Sequence, residues 1–137
     1  MMKVFLDTNI LMDFVENREC REYAETIIEL GKTGTIELFA SYLSFANMGY
    51  ILRRRSREER YRLLSNVRKI VKVLPCDGKQ LDEALANPVN DYEDMLQYQC
   101  AIAAVCDVIV TNNKRDFYEF CKLPFLTSEE FLLQLEY

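Results

Sequence analysis

The chain has 137 residues, half of them apolar, a formal net charge of −5 and no histidine. That size and apolar share suit one domain, residues 1–137, around a single core, and the acidic balance argues against a protein held to nucleic acid by bulk charge alone. Without histidine, Ser-His-Asp triads, imidazole acid–base catalysis and His-ligated zinc are excluded, and the four glycines (Gly31, Gly34, Gly49, Gly78) form no phosphate-cradling loop.

No uncharged apolar run approaches the roughly 18–20 residues needed to cross a bilayer. The opening Val4-Phe5-Leu6 run is too short for a secretory core. The cysteines (Cys20, Cys76, Cys100, Cys106, Cys121) are odd in number and form no C-x-x-C pair. They read as reduced, mostly buried small hydrophobes, which predicts a cytoplasmic protein with no membrane association.

In chain order, Lys3 to Leu6 predicts a short buried strand, followed by a helix capped by Thr8 or Asn9 and running to about Glu16. Cys20 to Leu30 carries Ala24, Ile27 and Ile28 at helical spacing, with Gly31 and Gly34 closing the element. Ile36 to Ala40 is a second strand, and Ser41 or Ser44 starts a helix through Ile51-Leu52. The next helix spans about Arg57 to Ile70, with Tyr61, Leu64, Val67 and Ile70-Val71 facing inward, and Val71 to Leu74 is a third strand. Asp77 caps a short helix to Leu85, Asn87-Pro88 breaks the chain, and Asn90 or Asp91 opens a helix to Cys106. Val108 to Val110 is β-branched and fully apolar, as a strand covered on both faces requires. A short helix near Phe117 to Cys121, a small strand at Phe125-Leu126 and a last helix capped by Thr127 or Ser128 complete the chain. Strands alternating with helices predict a three-layer α/β/α fold with a central, mainly parallel twisted sheet.

The acids sit at the junctions of this pattern. Asp7 follows the first strand, Asp116 follows the Val108–Val110 strand by a short loop, and Asp91 and Asp94 are one helical turn apart. If the first strand and Val108–Val110 are neighbours at a switch point, Asp7 and Asp116 enter one crevice, and Asp94 joins them when its helix points there. Three carboxylates about 5 Å apart at an effective dielectric of about 20 repel by ~3 kcal/mol per pair, ~10 kcal/mol together. No basic residue is interleaved closely enough to cancel that repulsion, so a retained proton or a divalent cation is required. Oxygen ligands alone favour Mg²⁺ or Mn²⁺ over zinc.

Asp7-Thr8-Asn9 after an apolar strand, Asp91-Tyr92-Glu93-Asp94 leading into Gln97-Tyr98-Gln99-Cys100-Ala101, and Ile109-Val110-Thr111-Asn112-Asn113-Lys114-Arg115-Asp116-Phe117 together resemble the PIN domain family. The resemblance is closest to the VapC-type toxins and related small bacterial members, and it covers nearly the whole chain in order. It implies an α/β/α fold and a Mg²⁺- or Mn²⁺-dependent ribonuclease acting on RNA phosphodiester bonds. It also implies a homodimer and a small antitoxin partner. Asp7 and Asp94 match family metal ligands, Asp116 matches the last acid, and Thr111 matches a hydroxyl residue that bonds a carboxylate or the phosphate. Asp91 reads as a helix cap, or as a residue just behind the metal ligands.

One position departs. The family commonly places a glutamate on the helix after the second strand, and this chain has Asn47 there. An amide carbonyl can ligate or hold a water but supplies no charge, so the alternative is a weakened or inactive PIN-fold module that binds RNA or protein. The dense basic run Arg53, Arg54, Arg55, Arg57, Arg60, Arg62, Arg68, Lys69 and Lys72 reads either as an exposed helix pair or as a phosphate track. Tyr50, Tyr61, the other aromatics and the methionines are expected in the core, and Asp13 and Glu16 on a solvated helix face.

Overall fold

A computed structural model describes residues 1–135. Its centre is a five-stranded, wholly parallel sheet in the order β3-β2-β1-β4-β5. The strands are β1 (Lys3–Leu6), β2 (Glu37–Ser41), β3 (Lys72–Leu74), β4 (Val108–Val110) and β5 (Phe125–Leu126). The helices are α1 (Thr8–Val15), α2 (Arg21–Lys32), α3 (Tyr42–Ile51), α4 (Arg57–Ile70), α5 (Gly78–Ala86), α6 (Tyr92–Ala103) and α7 (Ser128–Gln134).

Strand alternation splits the core into two layers. Val4, Leu6, Leu38, Ala40, Val108 and Val110 point to one side, where Ile10 and Leu11 of α1, Ile27 and Ile28 of α2, Met48 of α3 and Phe131 of α7 cover them. Phe5, Phe39 and Ile109 point to the other side, against Ala84 of α5 and Met95, Tyr98 and Ala101 of α6. Phe5 is fully buried, a contribution of ~2–3 kcal/mol from its side chain alone. No described helix is long and apolar enough to cross a membrane.

Sequence and structure differ in several places, each with a local cause. Asp7, rather than Thr8 or Asn9, caps α1 and accepts from the Thr8 N–H. Gly31 lies inside α2 instead of closing it. A Cβ there would stand 2.4 Å from Leu38 Cδ1, so the glycine lets the helix press onto β2. Helix α6 stops at Ala103 because Val105 adopts φ 57, after which the Cys106 N–H turns back to the Ala101 carbonyl. The single 3-10 turn of the tail covers Lys114–Phe117, and Phe117 to Cys121 forms only a turn closed by the Cys121 N–H on the Phe117 carbonyl. Ser41, Asp77, Asp91 and Thr127 are the caps of α3, α5, α6 and α7.

Tyr50 and Tyr61 are not core residues. They are 66% and 62% exposed, and Tyr42, Tyr92 and Tyr118 also face solvent. Met1 and Met2 are likewise exposed, against the expectation that the methionines pack inside. Asp13 is buried and accepts from Asn112 Nδ2 at 2.9 Å, and Glu16 pairs with Arg18 and Arg55, so neither is a merely solvated acid. All five cysteines are free thiols, with Cys100 and Cys106 buried and the other three half-buried.

Candidate metal centre

In the strand order, β1 lies between β2 and β4: the chain runs outward from β1 through β2 to β3, then crosses back to β4 and β5 on the other side. The carboxyl ends of β1 and β4 therefore border the crevice where a parallel sheet presents its loops. Asp7 stands at the end of β1, and its N–H reaches the Val110 carbonyl across the strand pair at 3.0 Å. Thr111 opens the loop after β4 and is fully buried.

The Asp7 carboxylate is fixed on both oxygens. Oδ1 accepts from the Thr8 N–H at 2.8 Å, and Oδ2 accepts from Thr111 Oγ1 at 2.8 Å and Asn9 Nδ2 at 3.1 Å. The Thr111 hydroxyl thus holds a carboxylate. The same hydroxyl oxygen accepts from the Asn113 N–H at 3.0 Å, and Asn9 Oδ1 accepts from the Asn112 N–H at 3.0 Å. The loop after β4 is in this way tied to the first turn of α1. Asn113 in turn donates through Nδ2 to Asp116 Oδ2, which aims the last acid.

Behind these groups a buried polar network joins α1, α3 and α6. Gln97 donates to Ser44 Oγ at 2.9 Å, accepts from Ser41 Oγ, and lies below the Thr8–Ser44 hydroxyl pair at 2.9 Å. Gln97, Ser41 and Ser44 are fully buried, so losing any member strands a polar group in the core. This network sets the position of α6 and hence of its first turn.

That first turn carries the acids. Asp91 caps α6 through Oδ1, which accepts from the Asp94 N–H at 2.9 Å. Asp91, Asp94 and Asp116 each place a carboxylate oxygen within 4.8 Å of the others, while Asp7 lies outside this tight set but lines, with Asp91 and Asp94, a cleft of roughly 440 Å³. The sequence paired Asp7 with Asp94 and Asp116. The structure gathers Asp91 with the latter two within 4.8 Å, and Asp7, held on both oxygens by Thr8, Thr111 and Asn9, faces Asp94 from the β1 side as the strongest of the charges acting on it. The sequence signal for Asp91 was present in its one-turn spacing from Asp94, but capping explained that spacing equally well.

Burial and mutual repulsion make these acids hard to ionise. Asp94 is only 7% exposed, and loss of hydration followed by the charges of Asp7, Asp91, Asp116 and Glu93 pushes its carboxyl up to about 8. Asp7 is pushed up to about 6 by burial, against the lowering effect of its Thr111 and Thr8 hydrogen bonds. Among the described residues, no hydrogen-bond donor reaches the Asp94 carboxylate, and none of Asp7, Asp91, Asp94 and Asp116 forms an ion pair. A nearly buried carboxylate without a donor, aimed into a cleft with other acids, has the donor chemistry of a hard divalent-cation site.

Asn47 lies on α3 at the cleft edge and donates through Nδ2 to Glu93 Oε1 at 2.7 Å. Exposed Tyr50 also lines the cleft, with the Arg53 guanidinium 4.0 Å from its ring centroid. The basic run covers the exposed side of α4 and the turn before it. Arg55 is paired with Glu16 and Glu59, and Lys72 with Glu37. Nothing in composition separated Glu93 from ordinary surface residues, and Tyr50 was expected in the core; the place of both depends on how α3 and α6 meet.

A family model for the PIN domain matches residues 3–115. Ribonuclease VapC1 of Aquifex aeolicus (strain VF5) is 29% identical over 138 residues, covering 94% of this chain and 92% of the relative. Among solved structures, DNA-bound VapBC from Salmonella typhimurium superposes with a TM-score of 0.70 at 20% identity, over 93% of this chain and 99% of the other. VapBC2 from Rickettsia felis, bound to a DNA fragment from its promoter, gives 0.69 at 19% identity, over 90% and 97%. With the parallel sheet, the Asp7-Thr8-Asn9 turn and the acids of α6 in place, the chain belongs to the PIN domain family.

Proposed function

We propose that the chain is a Mg²⁺- or Mn²⁺-dependent endoribonuclease of the VapC toxin type. The observation that carries this reading is the set Asp91, Asp94 and Asp116, three carboxylates within 4.8 Å of one another around a buried Asp94 that has no donor. Kinship to a relative named as a ribonuclease supplies the substrate class.

Asp94, Asp116 and Asp91 would hold the cation, with Asp7 completing the set from the β1 side. When bound, such an ion supplies an activated water and a counter-charge for the phosphoryl oxygens. The protein's own residues do the positioning. Thr111 and Asn9 hold Asp7 Oδ2, Asn113 holds Asp116, and the Gln97 network fixes the first turn of α6. Burial and its acidic neighbours favour the protonated Asp94 carboxyl in the free site, and a bound cation would favour the carboxylate, with the proton passing to solvent through the open cleft. Arg18, which also lines the cleft, offers a charge for the RNA backbone.

A small antitoxin neighbour, a homodimer and a cytoplasmic setting accompany this reading. The kinship to VapBC complexes supports the first, and the five free thiols suit the last. A PIN-fold module without catalysis remains the second reading because Asn47 brings no charge of its own to the cleft. Incubating the purified chain with labelled RNA separates the two. Cleavage in Mg²⁺ or Mn²⁺ that EDTA abolishes supports the nuclease; RNA binding with no cleavage in either ion supports the module.

A further inference from the structure

Helix α3 contributes no carboxylate to the cleft; its residue there is Asn47. The Asn47 amide is committed to a partner, donating to Glu93 Oε1 at 2.7 Å across 46 residues of sequence. Glu93 is the exposed second residue of α6 and lines the same cleft as Asp7, Asp91 and Asp94. An exposed glutamate beside so many like charges is expected to swing into solvent, where repulsion is weakest. Here an amide from another helix holds it at the rim instead.

We propose that Glu93, held in place by Asn47, is an outer acid of the cation site and supplies from α6 the negative charge that α3 lacks. Asn47 is then a positioning residue acting through Glu93. This rests on the reading of the cleft as a divalent-cation site. Its support is Asp94, a buried residue whose carboxylate takes no donor among the described residues and opens onto the cleft. Glu93 lies outside the tight set, so it would act on a bound cation through its charge and not as a direct ligand. Asn47 is therefore a relocation of the site's charge between helices, and its presence does not signal a dead enzyme.

The test is a double-mutant cycle read by Mn²⁺ titration, using calorimetry or the loss of the free-ion electron paramagnetic resonance signal, with no RNA present. A unit charge about 6 Å from a divalent ion in water-like surroundings changes affinity about tenfold. Glu93→Gln is expected to weaken Mn²⁺ binding by about tenfold, and Asn47→Ala by about threefold, since Glu93 is freed but still charged. In the Glu93→Gln background, Asn47→Ala should change nothing further. Unchanged affinity in Glu93→Gln overturns the proposal, as does an Asn47→Ala effect that persists when Glu93 is gone. A wild-type chain that binds no Mn²⁺ overturns the cation site itself, so the two failures are told apart. Both positions lie at the cleft rim, and far-ultraviolet circular dichroism confirms that the variants fold.

Discussion

Replacing Asp94 by Asn should stabilise the cation-free protein and abolish its activity. A carboxyl at about 8 in the fold and 3.8 in the unfolded chain binds its proton more tightly when folded. Such a group leaves stability untouched below pH ~4 and costs progressively more as pH rises towards 8, because the fold must either take up a proton or bury a charge. At pH 8 the full conversion of that gap is ~5 kcal/mol. The open side of the cleft admits water and the buried amide keeps part of the cost, so about half, ~2–3 kcal/mol, is expected in practice. With an unfolding entropy of about 0.29 kcal/mol/K for a chain of this length, that raises Tm by about 7–10 °C. Differential scanning calorimetry in EDTA at pH 4, 6 and 8 reads it directly: the advantage of the variant should be near zero at pH 4 and largest at pH 8. Saturating Mn²⁺ should reverse the order, since only the wild type gains binding energy. An Asp94→Asn protein that melts at or below the wild type at pH 8 in EDTA would refute the view of Asp94 as a strained, donor-free carboxylate.

Further predictions concern the support of the site and the fold. Mn²⁺ affinity should rise as pH increases from 6 to 8, with close to one proton released per ion at pH 7; this follows from the raised Asp94 and is measured by calorimetry in buffers of different ionisation enthalpy. Thr111→Val removes the hydroxyl that bonds Asp7 and Asn113. It should cost ~1–3 kcal/mol in urea unfolding and slow RNA cleavage at least tenfold. Gly31→Ala should destabilise by ~1–3 kcal/mol, because the new Cβ meets buried Leu38 and the sheet cannot retreat; an unchanged denaturation midpoint would show that α2 shifts freely. Val105→Gly should stabilise by about 1 kcal/mol with no effect on cleavage, by removing a β-branched residue from the left-handed region.

The sheet and most helices were legible because local signals agreed. β4 is an uninterrupted Val-Ile-Val run, α4 begins and ends where its pattern says, and Asp77 and Thr127 form capping boxes as their sequence spacing allows. What local pattern cannot carry is which helix meets which. Gly31 looks like a helix stop in sequence, yet it is a contact point with Leu38 on β2. Tyr50 and Tyr61 repeat at spacings that suit a core face but fall on the outer side of their helices. The site divided along the same line. Asp7, Asp94 and Asp116 could be named from their positions after strands and at a helix start, and Thr111 from the family resemblance alone. Asp91's place in the tight set depends on how the start of α6 meets the turn after β4, and the Asn47–Glu93 contact on how α3 meets α6, whose position the buried Gln97 network fixes.

The claim on which all else depends is that this cleft binds a divalent cation through α6 and the loop after β4. Isothermal titration of the purified chain with Mn²⁺ at pH 7.5 addresses it, with Asp94→Asn and Asp116→Asn beside the wild type. Saturable binding by the wild type that falls by at least a hundredfold in both variants is the predicted result. Equal binding by all three proteins, or none by the wild type, would contradict it.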